Sequence, residues 1–186
     1  MKNKSVKRRV FSRILSLALV FAMSVCLLLP INVQAAKRIT LTQNLFSDQL
    51  EDIEPTVSTI TKTGNYSIVT TKNDAGNFCG FLKFVAPKTK TYTITAGPVK
   101  GKKKDFIFGS VEFFVPGDAT SLAGTTVKLK KSTKNHFMMI ATKKYSNSEK
   151  KRVGTIKLSK GTQLYMYFQF HQGNKSSACT TTLKIK

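Results

Sequence analysis

From residue 56 to the C-terminus, apolar and polar positions alternate with a period of two. Tyr92, Ile94 and Ala96 fall on one side of a run whose other side is Thr91, Thr93 and Thr95, the spacing of a half-buried strand. The same period places Leu164, Met166, Phe168 and Phe170 opposite Tyr165, Tyr167, Gln169 and His171, and Leu183 and Ile185 opposite Thr182, Lys184 and Lys186. Turn residues punctuate these runs at Thr63-Gly64-Asn65, Ala86-Pro87-Lys88, Gly97-Pro98, Pro116-Gly117-Asp118, Lys160-Gly161 and Gln172-Gly173-Asn174. The pattern predicts eleven strands: Arg38 to Thr42, Thr56 to Thr61, Tyr66 to Thr71, Phe78 to Val85, Thr91 to Ala96, Phe106 to Val115, Thr126 to Lys130, His136 to Thr142, Val153 to Leu158, Thr162 to Phe170 and Cys179 to Lys186. Helical period is confined to one turn at Asp48 to Ile53, capped by Ser47 and stopped by Pro55. Short strands without intervening helices imply an all-β fold, an antiparallel sandwich or barrel.

The first 36 residues follow a different pattern. Lys2, Lys4, Lys7, Arg8, Arg9 and Arg13 precede an apolar run from Ile14 to Leu29, and Val33-Gln34-Ala35 places small residues at the −3 and −1 positions of a signal-peptidase site. A helical signal peptide over 1–36 is expected, with the mature chain starting near Ala36 or Lys37 and Cys26 leaving with the signal. The alternative is a retained anchor, but the 16 residues from Ile14 to Leu29 fall short of the roughly 20 that span a bilayer. Residues 37–186 are then one secreted domain, and the membrane enters only through the signal segment.

Charge sharpens this picture. Residues 37–186 hold 25 basic and 9 acidic side chains, four of the acids being Asp48, Glu51, Asp52 and Glu54. Lysines cluster at Lys100, Lys102, Lys103 and Lys104, at Lys128, Lys130, Lys131 and Lys134, and at Lys143, Lys144, Lys150, Lys151 and Arg152. Such clusters either keep loops solvated or attract polyanions over distance in a salt-dependent way. In an exported protein the expected partner is an anionic polysaccharide or wall polymer. Nucleic acid suits the charge but not the compartment, and no basic-aromatic reader signature is present.

Phe78, Phe81, Phe84, Phe106, Phe108, Phe113, Phe114, Phe168 and Phe170 fall inside the predicted strands and are expected to form the core, each removing well over ~100 Å² from water. Tyr145, Tyr165 and Tyr167 are candidates for stacking on sugar rings. Cys79 and Cys179 are candidates for a disulfide, which would close a loop of about 100 residues and stabilise by roughly 4 to 5 kcal/mol in the chain-entropy account; two buried free thiols are the alternative.

Catalytic and metal-binding chemistry finds little support. His136 and His171 sit at strand ends, no G-x-S-x-G elbow occurs, and Asp105, Glu112, Asp118 and Glu149 lie in separate strands and loops. Glu112, inside an apolar strand, reads as an outward-facing residue between inward-facing neighbours. No zinc or calcium spacing is present, so no cofactor and no catalysis are expected. The alternative is a small secreted hydrolase, an accessory domain of one, or a carbohydrate-binding module.

Two hairpins add a family resemblance. Phe81-Leu82-Lys83-Phe84-Val85-Ala86-Pro87-Lys88-Thr89-Lys90-Thr91-Tyr92-Thr93-Ile94-Thr95 and Leu158-Ser159-Lys160-Gly161-Thr162-Gln163-Leu164-Tyr165-Met166-Tyr167 resemble hairpins of bacterial pre-peptidase C-terminal domains and related jelly-roll modules. The resemblance runs from Phe78 to the C-terminus. It implies an antiparallel β-sandwich of jelly-roll type, non-catalytic, that accompanies secreted enzymes and aids secretion or attachment, with no catalytic residues to carry over.

Overall fold

The computed structural model describes residues 35–43, 46–131 and 137–186. Residues 1–34 of the expected signal peptide, Lys134 and His136 lie outside the described residues. Among the described residues there are ten strands: β1 Lys37–Thr40, β2 Ser58–Ile60, β3 Gly64–Thr71, β4 Phe78–Val85, β5 Lys90–Lys100, β6 Phe108–Phe114, β7 Phe137–Ala141, β8 Arg152–Leu158, β9 Gln163–His171 and β10 Ala178–Ile185. One helical turn among them, α1, spans Leu50–Ile53.

The strands form two five-stranded sheets, in the order β1-β3-β10-β5-β8 and β2-β4-β9-β6-β7. From β3 to β10 every neighbouring pair is antiparallel. The four-stranded groups β3-β10-β5-β8 and β4-β9-β6-β7 give the eight-stranded jelly roll of two interleaved Greek keys. The antiparallel sandwich expected from the sequence is present, with a parallel strand added at one edge of each sheet. β1 pairs parallel with β3, and β2 pairs parallel with β4, so both sheets are mixed.

The inward positions are those the period of two picks out. Leu82, Phe84, Leu164, Met166, Phe168, Phe170, Val111 and Phe113 from one sheet meet Ile68, Tyr92, Ile94, Ala96, Leu183 and Ile185 from the other. Their burial is the main term that folds the domain.

Two turn signals read differently in three dimensions. Gly97-Pro98 is no reversal: β5 runs through it, by a cis peptide bond, to Lys100. Pro98 falls where β8 has ended and the pairing with β10 slips between Thr181 and Leu183, so its missing N–H removes no ladder bond. Residues 126–130 form no strand; isolated bridges join Thr126 to Phe114 on β6 and Lys130 to Thr155 on β8, so the segment passes from one sheet to the edge of the other.

The second sheet is covered on its outer side as well. Residues 46–57 cross it, held by a Leu122 N–H bond to the Asp48 carbonyl (2.6 Å) and a Leu50 N–H bond to the Thr120 carbonyl (2.9 Å). α1 has no side-chain cap on its own N–H groups; instead the Ser47 hydroxyl accepts from the Gln49 N–H at 3.1 Å and donates to the Asp52 carboxylate at 2.7 Å. Ile53, Leu122, Phe81, Phe114, Tyr165 and Tyr167 form a second apolar layer under this strap.

Candidate functional site

Strand direction decides where the lysines go. The ends of β3, β5, β7 and β9 and the starts of β4, β6, β8 and β10 meet at one end of the sandwich, as the pairings Thr71↔Ala178, Lys100↔Thr180, Phe108↔Ala141, Phe108↔His171 and Ala96↔Arg152 require. The four loops there, with the strand ends that enter them, carry eleven basic residues: Lys72, Lys100, Lys102, Lys103, Lys104, Lys143, Lys144, Lys150, Lys151, Arg152 and Lys175, against the acids Asp74, Asp105 and Glu149. Two of the three predicted clusters, Lys100 to Lys104 and Lys143 to Arg152, are therefore brought together. The third is placed apart from these loops: Lys130, flanked by Lys128 and Lys131, bridges Thr155 within β8, and Lys134 is outside the described residues.

The loops are tied to one another by side chains. Asp105 accepts from the Ser176 hydroxyl and from the Lys175 N–H (3.4 Å), while the Lys102 N–H donates to the Ser176 oxygen at 2.7 Å. The Ser176 hydroxyl and the neighbouring N–H groups hold the Asp105 carboxyl below the usual range. Lys72 donates to the Gly173 carbonyl at 3.3 Å, and Thr142 links to both polar groups of Ile107. Gly97 lets the β7–β8 loop approach: its φ is +96°, and a Cβ there would lie 2.4 Å from the Lys150 carbonyl oxygen.

Aromatic rings stand among these lysines. Tyr145 packs on Phe106 (5.3 Å between centroids) and Phe108 (5.8 Å), Phe106 stacks on Phe108 at 5.8 Å, and the Lys143 ammonium lies 5.5 Å from the centre of Phe106. His171 closes the cluster against Phe108, with Nδ1 2.7 Å from the Asn77 amide oxygen. Clefts flank it: one of about 510 Å³ between Lys104, Phe106 and the β9–β10 loop, and one of about 350 Å³ between Phe108, Met139 and residues 145–148. Phe106 and Phe108 are half-buried, which corrects their assignment to the core. Ile107, Val111 and Phe113 take the inward positions of this strand, leaving Phe106 and Phe108 on the outward side with Glu112. That parity was present in the sequence and is the signal the core reading passed over.

Two other stacking candidates are corrected. Tyr165 and Tyr167 are 1% and 3% exposed, because the strap covers the outward side of β9; only Tyr145, 53% exposed, offers its ring to solvent. The Tyr165 hydroxyl lies in hydrogen-bond reach of Glu54 and Gln163, and burial and the Glu54 carboxylate raise its pKa.

The disulfide expectation is corrected as well. Cys79 and Cys179 are both free. They sit on β4 and β10, in opposite sheets; Cys179 faces the core and Cys79 the outer layer, so the spacing and direction a bridge needs are missing. Burial pushes the Cys179 thiol up to about 11 and raises Cys79 above its usual range. Both stay protonated near neutral pH and are poor nucleophiles. Glu112 points outward as expected, half-buried, and desolvation raises its carboxyl. Among the described residues, no group of three or more His, Cys, Asp or Glu side chains is placed to hold a metal ion.

No protein-family model matches the chain, and no curated protein does. Similar solved structures include the pre-peptidase C-terminal domain of a collagenase from Bacillus anthracis, 10% identical with a TM-score of 0.39 over 77% of this chain and 100% of that one. A surface-associated copper-binding protein important in copper acquisition in Methylomicrobium album is 8% identical with a TM-score of 0.37, over 80% of this chain and 99% of that one. A beta-glucosidase from Paenibacillus barengoltzii is 10% identical with a TM-score of 0.31, over 83% of this chain and 14% of that one. The first is a domain of the kind that the two hairpins resemble; at these TM-scores the strand order itself carries the fold assignment.

Proposed function

We propose that the chain is an exported, non-catalytic attachment domain that binds an anionic polymer of a cell envelope or host surface through the loop end of the jelly roll. The observation that carries this reading is the convergence there of eleven basic and three acidic residues on four cross-linked loops. Export is supported by the cationic and apolar pattern of residues 1–36, and it sets which polyanions the domain meets. The absence of a catalytic role is supported by the protonated thiols and by the dispersal of the carboxylates.

Affinity for heparin or isolated wall polymer, measured across ionic strength, tests the reading. Binding that rests on many lysine contacts is expected to weaken about tenfold or more between ~50 and ~200 mM salt. Joint replacement of Lys102, Lys103 and Lys104 by Glu is expected to weaken it further. An affinity indifferent to salt and to these changes contradicts the proposal.

A further inference from the structure

We infer that the polymer taken at this end is an acidic glycan, one of whose sugar rings stacks on Tyr145, the crest of a ridge seated on Phe106 and Phe108, while its anionic groups meet Lys104, Lys143 and Lys175. This deepens the proposed function and rests on it. Charge alone does not call for the ridge, since a polyphosphate needs only cations. Yet Tyr145, exposed at this end, stands beside these cations and is held in place. The Ser148 N–H donates to the Tyr145 carbonyl at 2.8 Å, and Ser146 takes a positive φ of 47° to close the turn. Phe106 and Phe108 support the ring from below at 5.3 and 5.8 Å. A ring fixed in this way loses little entropy when a ligand stacks on it.

Its surroundings fit a sugar. The clefts of about 510 and 350 Å³ lie on either side of the ridge, with Phe106 lining one and Phe108 and Tyr145 the other, and both fall within the ~300–1,000 Å³ usual for ligand pockets. A linear chain laid from one to the other crosses the ridge. Lys104 and Lys175 line the first cleft and Lys143 stands over Phe106, so anionic groups on units flanking the stacked ring find cations. The first cleft also holds Asp105, whose carboxylate is engaged by the Ser176 hydroxyl and the Lys175 N–H; the uncharged hydrogen-bonding side chains are Gln172 and Asn174 there and Ser146, Asn147 and Ser148 in the other cleft. They suit the hydroxyl groups of a sugar, which a polyphosphate lacks. Tyr145 meets Phe106 at 71° and Phe108 at 51°, so the rings make a ridge for one C–H face rather than a slot between parallel planes, which disfavours a run of stacked bases.

The test titrates the purified full chain with three probes: heparin, inorganic polyphosphate and single-stranded DNA. Tyr145→Ala is expected to weaken heparin binding about 5- to 10-fold and polyphosphate binding less than about 2-fold. Tyr145→Phe is expected to retain the heparin affinity, and an unchanged far-ultraviolet circular dichroism spectrum establishes that the fold survives. Equal effects on heparin and polyphosphate, or none on heparin, overturn the inference, as does tighter, Tyr145-dependent binding of the DNA. Joint replacement of Lys102 and Lys103 by Glu separates the two claims: if it leaves all three affinities unchanged, the attachment reading itself fails, whereas loss on all three with no effect of Tyr145→Ala removes only the glycan.

Discussion

Glu54 and Lys83 form an ion pair of unequal partners. The ammonium lies 2.5 Å from the carboxylate; its side chain is 13% exposed against 40% for Glu54, and it also faces the Tyr165 ring at 5.7 Å. Removing the carboxylate strands a nearly buried charge, whereas removing the ammonium leaves a carboxylate that water reaches. Glu54→Gln is therefore expected to cost roughly 1 kcal/mol, a value kept low by solvent screening, and Lys83→Met less; urea denaturation midpoints check the order. Burial works against the charged form of Glu54, but the bonds from Lys83 and Tyr165 outweigh it and lower the pKa, as Ser176 lowers that of Asp105. A carboxyl depressed by folding contributes stability that is present above its unfolded pKa, near 4, and is lost as pH falls through the folded value. Thermal scans between pH 6 and pH 3 are expected to show that loss, and it is expected to shrink in Glu54→Gln. Thr181 makes the opposite case. Its hydroxyl is the buried side-chain polar atom without a hydrogen-bond partner among the described residues, so Thr181→Val, which keeps the shape, is expected to raise stability by about 1 kcal/mol.

At the scale of elements, Gly97 joins the framework to the loops. An alanine there meets the Lys150 carbonyl and sits at a positive φ, so Gly97→Ala is expected to displace the β7–β8 loop. The expected readout is a loss of ~2 kcal/mol or more in stability together with earlier elution from heparin; unchanged elution would separate this loop from the site. The strands themselves were largely legible, because a period of two is local information: β4 falls at Phe78–Val85 as read, and the two sets of residues along β9 do face opposite ways. Covering was not legible. Tyr165 and Tyr167 read as wet because alternation predicts one dry face per strand, and the strap that dries the second face comes from more than 100 residues earlier in the chain. The same non-local geometry defeats the disulfide, since Cys79 and Cys179 prove to belong to opposite sheets only once strand order is known. The parallel edges of β1 and β2 likewise leave no local mark.

For the whole molecule, the question is whether charge acts through a place or only through its sum. Lys100 to Lys104 and Lys143 to Arg152, far apart in the chain, share one end of the jelly roll with Lys72 and Lys175, while Lys88 and Lys160 lie in the loops of the opposite end. Lys102, Lys103, Lys88 and Lys160 are all exposed. Replacing Lys102 and Lys103 by Glu, or Lys88 and Lys160 by Glu, therefore changes net charge by the same amount at the two ends. The direct measurement is the salt dependence of heparin affinity for the two double variants beside the parent chain. The account predicts a large loss of affinity and a shallower salt slope for the Lys102 and Lys103 variant, with little change for the Lys88 and Lys160 variant. Equal losses in both would mean that bulk charge does the binding and that the loop end is no site.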